Sequence, residues 1–153
     1  MKKSRIIAVL GIGIIMVTVL GGCYGDIEYA PLDHQIKEME ATFNSTVVLD
    51  TSTMDEREQS EIINAVNNHL EDAEIMTNVR HASNVDGGHW IFEMTTDDDR
   101  ELKIVDSYAN IKGETKSAGA VSLDGERIGF LDKETYNGFK ASFDADQYTP
   151  YRS

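Results

Sequence analysis

Apolar residues are distributed in two ways along this chain. Ile6 to Leu20 is an unbroken uncharged run, IIAVLGIGIIMVTVL; after Cys23 hydrophobic positions recur only with the spacing of helices or strands. Residues 24–34, YGDIEYAPLDH, show neither period and read as a tether. In QIKEMEATF (35–43), Ile36, Met39 and Phe43 fit a short helix after Asp33, and a strand is the alternative. Thr46-Val47-Val48-Leu49 is β-branched and apolar, the composition of a strand. Thr53 followed three residues later by Glu56 has the pattern of a capping box. A helix to about Leu70 follows, with Ile62, Ile63, Val66, Leu70 and Ala73 on its apolar face.

Beyond that helix the period changes to two. Residues 75–85 are expected to form a strand closed by a turn at Asp86-Gly87-Gly88. Residues 89–96 alternate, with Trp90, Phe92 and Met94 on one side and Glu93 and Thr95 on the other. A polar turn, Thr96 to Arg100, leads to a second alternating segment, 101–108, carrying Leu102, Ile104 and Tyr108. Residues 118–123 and 126–131 flank Asp124-Gly125, a hairpin signal because both central positions favour positive φ. A plain two-residue loop sets Val121 opposite Ile128 and Gly119 opposite Phe130. Asp132 then caps a short helix that buries Tyr136, Phe139 and Phe143, with Gly138 costing ~1 kcal/mol inside it.

Strand, helix, a run of antiparallel strands and a last helix predict an α+β fold. The expected sheet is a meander of four to six strands with both helices on one face and the other face wet. The corresponding division is a leader over 1–22, a tether over 23–44, a domain over 45–146 and a flexible tail over 147–153.

The leader carries the most specific signal. Lys2, Lys3 and Arg5 precede the apolar run, and Leu20-Gly21-Gly22-Cys23 ends it. Fifteen helical residues rise ~22 Å, short of a ~30 Å hydrocarbon core. A cleavable export signal has this layout, and acids rather than basic residues follow it. Leu20-Gly21-Gly22-Cys23 resembles the lipobox of bacterial lipoproteins. The resemblance implies cleavage before Cys23, a diacylglyceryl group on its sulfur, and attachment to the outer face of the cell membrane. Two acyl chains anchor stably where one does not, at ~0.8 kcal/mol per buried methylene. The pattern over 45–143 also resembles small lipoproteins of Gram-positive bacteria, including the segment Phe130-Leu131-Asp132-Lys133-Glu134-Thr135-Tyr136. That likeness brings no activity with it.

Charge narrows the partners. The 153-residue chain has 14 Lys and Arg against 27 Asp and Glu. Removing the leader leaves 11 basic residues and a net charge of −16. Such a domain repels nucleic acid and anionic headgroups, so nucleic-acid binding is not expected. Cys23 is the only cysteine, so an intrachain disulfide is excluded and the core alone must hold the fold.

No catalytic motif stands out. Asp97-Asp98-Asp99 is the one acidic cluster with metal-ligand chemistry, but it lacks EF-hand spacing and reads as a solvated turn. His34, His69, His81 and His89 have no zinc-type i, i+4 spacing. No nucleophile elbow and no phosphate-binding glycine loop occurs, and no cofactor is implied. Trp90, Tyr108, Tyr136 and Tyr148 could form a binding patch, but Trp90 and Tyr108 are read as core, Tyr136 as the buried face of the last helix, and Tyr148 as part of a floppy end with no core partner. The expected function is a membrane-anchored, non-catalytic binding module that engages another envelope protein. The alternatives are an immunity or inhibitor lipoprotein that captures a cationic peptide or protein, and an envelope hydrolase.

Overall fold

The computed structural model describes residues 25–84 and 89–149. The leader, Leu20-Gly21-Gly22-Cys23, the Asp86-Gly87-Gly88 turn and residues 150–153 lie outside the described residues. The fold is α+β, and the described residues form nine antiparallel strands in one sheet and two α-helices. The strands are β1 (Tyr29–Pro31), β2 (Ile36–Phe43), β3 (Thr46–Asp50), β4 (Glu74–Met76), β5 (Arg80–Asn84), β6 (Trp90–Thr96), β7 (Glu101–Ile111), β8 (Glu114–Leu123) and β9 (Glu126–Asp132). The helices are α1 (Glu56–Glu71) and α2 (Lys133–Ser142). The order across the sheet is β1-β4-β9-β8-β7-β6-β2-β3, with β5 also paired to β7.

The sheet exceeds the expected four to six strands because residues read as tether join it. Leu32 is buried, and its N–H donates to the Ala73 carbonyl at 3.0 Å. Asn78 clamps the same segment: its Oδ1 accepts from Glu28 N–H and its Nδ2 donates to the Asp26 carbonyl, both at 2.9 Å. Residues 26–43 therefore pack with the rest of the described fold rather than standing apart from it. At the other end, Tyr148 packs on the core from the 3₁₀ turn Ala145–Tyr148, so the described part of the tail is docked.

The segment 36–43 is a strand that imitates a helix in sequence. Pairing with β6 shifts register between Ile36 and Glu38. This bulge reverses side-chain parity, so Ile36, Met39, Ala41 and Phe43 all reach the core despite their odd spacing. Asn67 of α1 completes the bulge. Its Oδ1 accepts from Ile36 N–H at 2.7 Å, and its Nδ2 donates to the Ile36 carbonyl at 2.9 Å.

Helix α1 starts two residues later than the expected box. Asp55, not Thr53, is the cap, accepting from Glu58 N–H at 2.9 Å. Thr51–Thr53 instead forms a 3₁₀ turn whose Thr51 hydroxyl accepts from Met39 N–H at 2.9 Å. The helix links edge strand β3 to β4, six inter-strand steps away, ~29 Å at ~4.8 Å each. Sixteen residues of helix rise ~24 Å, so α1 lies across the sheet and buries Ile63, Val66 and Leu70 against it.

The expected 75–85 strand is two strands. Met76 of β4 pairs with Phe130, whereas β5 runs along β7, with His81 opposite Ala109. The Asp124-Gly125 hairpin forms with φ of 50° and 84°. Its register differs from the plain two-residue case because of a shift between Val121 and Ser122, which pairs Val121 with Gly129 and Gly119 with Leu131. Leu131 thereby joins Val121 in the helix-side core, and Phe130 joins Ala118 and Ala120 on the opposite face. Asp132 caps α2 through Thr135 N–H at 2.8 Å, as expected. Gly138 is explained by packing, since a Cβ there would lie 2.6 Å from the His69 ring.

Replacing Asn67 with Ala strands both backbone groups of Ile36 in a part-buried site. The expected loss is ~1–3 kcal/mol in chemical denaturation, with no change in oligomeric state.

Candidate functional site

The residues with most chemistry divide between the helix-side core and the open face of the sheet. On the core side, Asp106 of β7 is 9% exposed. One oxygen accepts from Trp90 N–H at 2.8 Å, and the other takes a short hydrogen bond from the Tyr136 hydroxyl of α2. Gly119 on β8, the partner of Asp106, makes room for this: a Cβ there would sit 2.9 Å from the Tyr136 ring. Burial first, then the adjacent Asp106 charge, pushes the Tyr136 phenol far above its ordinary value. The rings of Phe139, Phe143 and Tyr136 stand edge-on to Phe92, which stacks on Trp90 at 5.1 Å. This network joins strands to helix and is fully occupied in doing so. Trp90 and Tyr136 are core, as expected; Tyr108 is half-buried.

The expected acidic cluster does not converge. The Asp98 carboxylate accepts from the Thr96 hydroxyl at 2.5 Å, and that bond holds its carboxyl below the usual range. Asp99 pairs with Lys37, while the Asp97 N–H donates to the Gln35 carbonyl at 2.9 Å. Asp97-Asp98-Asp99 is thus the closed turn between β6 and β7. Among the described residues no group of three His, Cys, Asp or Glu has metal-holding geometry. The histidines are also separate. His69 contacts the Thr135 carbonyl at 2.9 Å and His81 contacts Asn84 at 3.1 Å, each through Nε2.

The open face carries what the sequence pattern concealed. Cross-strand pairs place Asp50 opposite Glu40, Glu40 opposite Glu93, and Glu93 opposite Lys103. Three carboxylates therefore stand side by side on β3, β2 and β6, with one ammonium at the end of the row. Lys103 bonds Glu93 at 2.9 Å and lies 3.9 Å from Glu101. The Glu93 bond is the chief cause that raises the Lys103 ammonium above its ordinary value. Glu38, Glu40, Asp50, Glu93 and Glu101 line a shallow depression of about 290 Å³. Glu93 was legible as an outward residue of an alternating strand. Its neighbours Glu40 and Asp50 were not, because the pairing of β2 between β3 and β6 is a long-range choice.

The other half of this face is apolar. Met76, Ala109, Ala118, Ala120 and Phe130 form a second buried cluster, with Ile27, Val79 and Ile111 packed on it and the Arg127 guanidinium 5.0 Å from the centre of the Phe130 ring. Beside it an open groove of about 540 Å³ is lined by Ile27, Tyr29, Met76, Ile111, Lys116 and Lys133, among others. No helix of the described residues is long and apolar enough to cross a membrane. Comparison with protein-family models, with curated proteins and with solved structures yields no match.

Two outcomes test this description. Tyr136→Phe leaves Asp106 with one donor and is expected to cost ~1.5–3 kcal/mol. Because the folded-state phenol value is raised, its stabilisation is complete below the ordinary value of 10.0 and declines above it. Wild-type stability should therefore fall by up to ~1.4 kcal/mol per pH unit more steeply than that of Tyr136→Phe above that point, read by urea denaturation between neutral and alkaline pH. Glu40→Gln removes a carboxylate from between two others. It should raise the melting temperature, by up to ~1 kcal/mol in stability, with the gain shrinking in added salt.

Proposed function

We propose that the protein is a lipoprotein of the extracytoplasmic membrane face, a non-catalytic binding module whose Asp50–Glu40–Glu93 row receives a cationic peptide or protein segment. The Leu20-Gly21-Gly22-Cys23 sequence after a basic and then apolar leader supports the anchor. The observation that carries the binding assignment is the like-charge row itself. Carboxylates directly opposite each other on adjacent strands destabilise a sheet, and a local violation of this kind is characteristic of functional surfaces. Lys or Arg side chains arriving at strand spacing would convert that repulsion into attraction, speed the encounter and make binding salt-dependent. An immunity or inhibitor lipoprotein that captures a cationic polypeptide is one form of this module.

For the anchor, wild-type protein is expected in the membrane fraction with a lipid mass on Cys23. Cys23→Ala should accumulate unprocessed or appear in the medium; a mature wild-type chain with a bare thiol sinks the assignment. For the surface, oligolysine titrated by calorimetry should bind at low salt and be released at high salt. The Glu40→Gln/Glu93→Gln double variant should bind roughly tenfold more weakly, ~1.4 kcal/mol. Affinity that ignores both salt and these substitutions argues for a different face.

A further inference from the structure

We infer that the groove beside β1 rests on the lipid bilayer, giving the domain a set orientation at the membrane. This inference rests on the lipoprotein reading of Cys23. Tether length carries it. Asn78 fixes the backbone at Asp26 and Glu28, so two residues, three backbone steps, separate the lipidated Cys23 from the folded body at Asp26. Fully extended, this stretch reaches ~10 Å, less than the ~14 Å radius of gyration of a domain this size. The surface next to Asp26 must then lie at the level of the headgroups.

That surface is the groove. Ile27 lines it one residue beyond Asp26, and Tyr29 follows at 46% exposure. Tyr29 and Val47 are the two large exposed hydrophobic side chains among the described residues, and only Tyr29 stands at the anchored end. Tyrosine is favoured where hydrocarbon meets water, and Lys116 and Lys133 can lay their stems on apolar surface with their ammonium groups among phosphates. The Glu40–Glu93 row lies four to five inter-strand steps from β4, on the opposite half of the sheet. At ~20–25° of twist per step it is turned on the order of 100° from the groove, away from anionic headgroups. Seating the groove on lipid thus holds the Glu40–Glu93 row away from the headgroups and open to the outside, while the groove's own charges balance, Lys116 and Lys133 against Asp132 and Glu134.

The test uses residues 23–153 coupled through Cys23 to a maleimide phospholipid in phosphatidylcholine–phosphatidylglycerol vesicles. Coupling supplies the anchor chemically, so a bare Cys23 in cells would overturn the lipoprotein reading and leave this measurement intact. Native lysines are acylated briefly and quantified by mass spectrometry, on vesicles and free in solution. Lys116 and Lys133 should lose labelling several-fold on vesicles, while Lys37 and Lys140 keep theirs. A flexible insertion of about ten Gly and Ser residues after Tyr24, with the fold checked by circular dichroism, should restore Lys116 and Lys133 labelling with coupling unchanged. Uniform labelling, or protection of Lys37 and Lys140 instead, overturns the orientation. Protection that appears without vesicles, on attachment of a soluble single acyl chain, assigns the groove to that chain and also overturns it.

Discussion

Asp106 is the point at which strands and helix are locked together. A carboxylate at 9% exposure is tolerated because a backbone N–H from β6 and a phenol from α2 satisfy its two oxygens. Removing either donor would leave a costly buried charge. The bond also sets where Tyr136 lies, and its ring in turn requires Gly119 beneath it. The position of α2 over β8 and β9, and with it the edge-on packing of Phe139 and Phe143 around Phe92, follows from this arrangement.

With one face of the sheet closed by both helices, the opposite face is left for other uses, and it is not uniform. Its β1-β4-β9-β8 half carries alanines, Met76 and Phe130; its β6-β2-β3 half carries carboxylates. The apolar half is itself buried, Phe130 at 2% exposure, so what it offers outward is the groove beside β1, while the acidic half is open along the Asp50–Glu40–Glu93 row. The edges of the sheet are guarded. β1 is three residues long and ends in Pro31, while β3 is disrupted by a register shift against β2. Partner recognition through the face therefore fits this sheet better than strand addition at an edge.

Much of the fold was legible where a signal is local. The Asp124-Gly125 turn, the Asp132 cap, the apolar stripe of α1 and the alternation around Trp90, Phe92 and Met94 all depend on residues within one turn or strand. Bulges defeated the pattern elsewhere. The one at Ile36–Glu38 made a strand look helical, and the one beside Val121 changed which of Phe130 and Leu131 faces the helices. A single inserted residue reverses side-chain parity, and no period can be read across it. Residues 26–34 lacked any period because their order comes from Asn78 and the Ala73 carbonyl rather than from neighbours in sequence.

The amino-acid sequence alone determined the class of fold, the excess of acidic over basic residues, and the spacing of Asp97-Asp98-Asp99, which departs from that of a metal-binding loop. Each of these is a property of composition or of residues adjacent in the chain. Only the tertiary structure decided that Asp50, Glu40 and Glu93 form a row, that Asp106 meets Tyr136, and that Tyr29 stands beside Met76. These juxtapositions are set by which strands lie side by side. That order depends on α1 spanning the sheet to return the chain at its far side, a long-range packing outcome with no local signature.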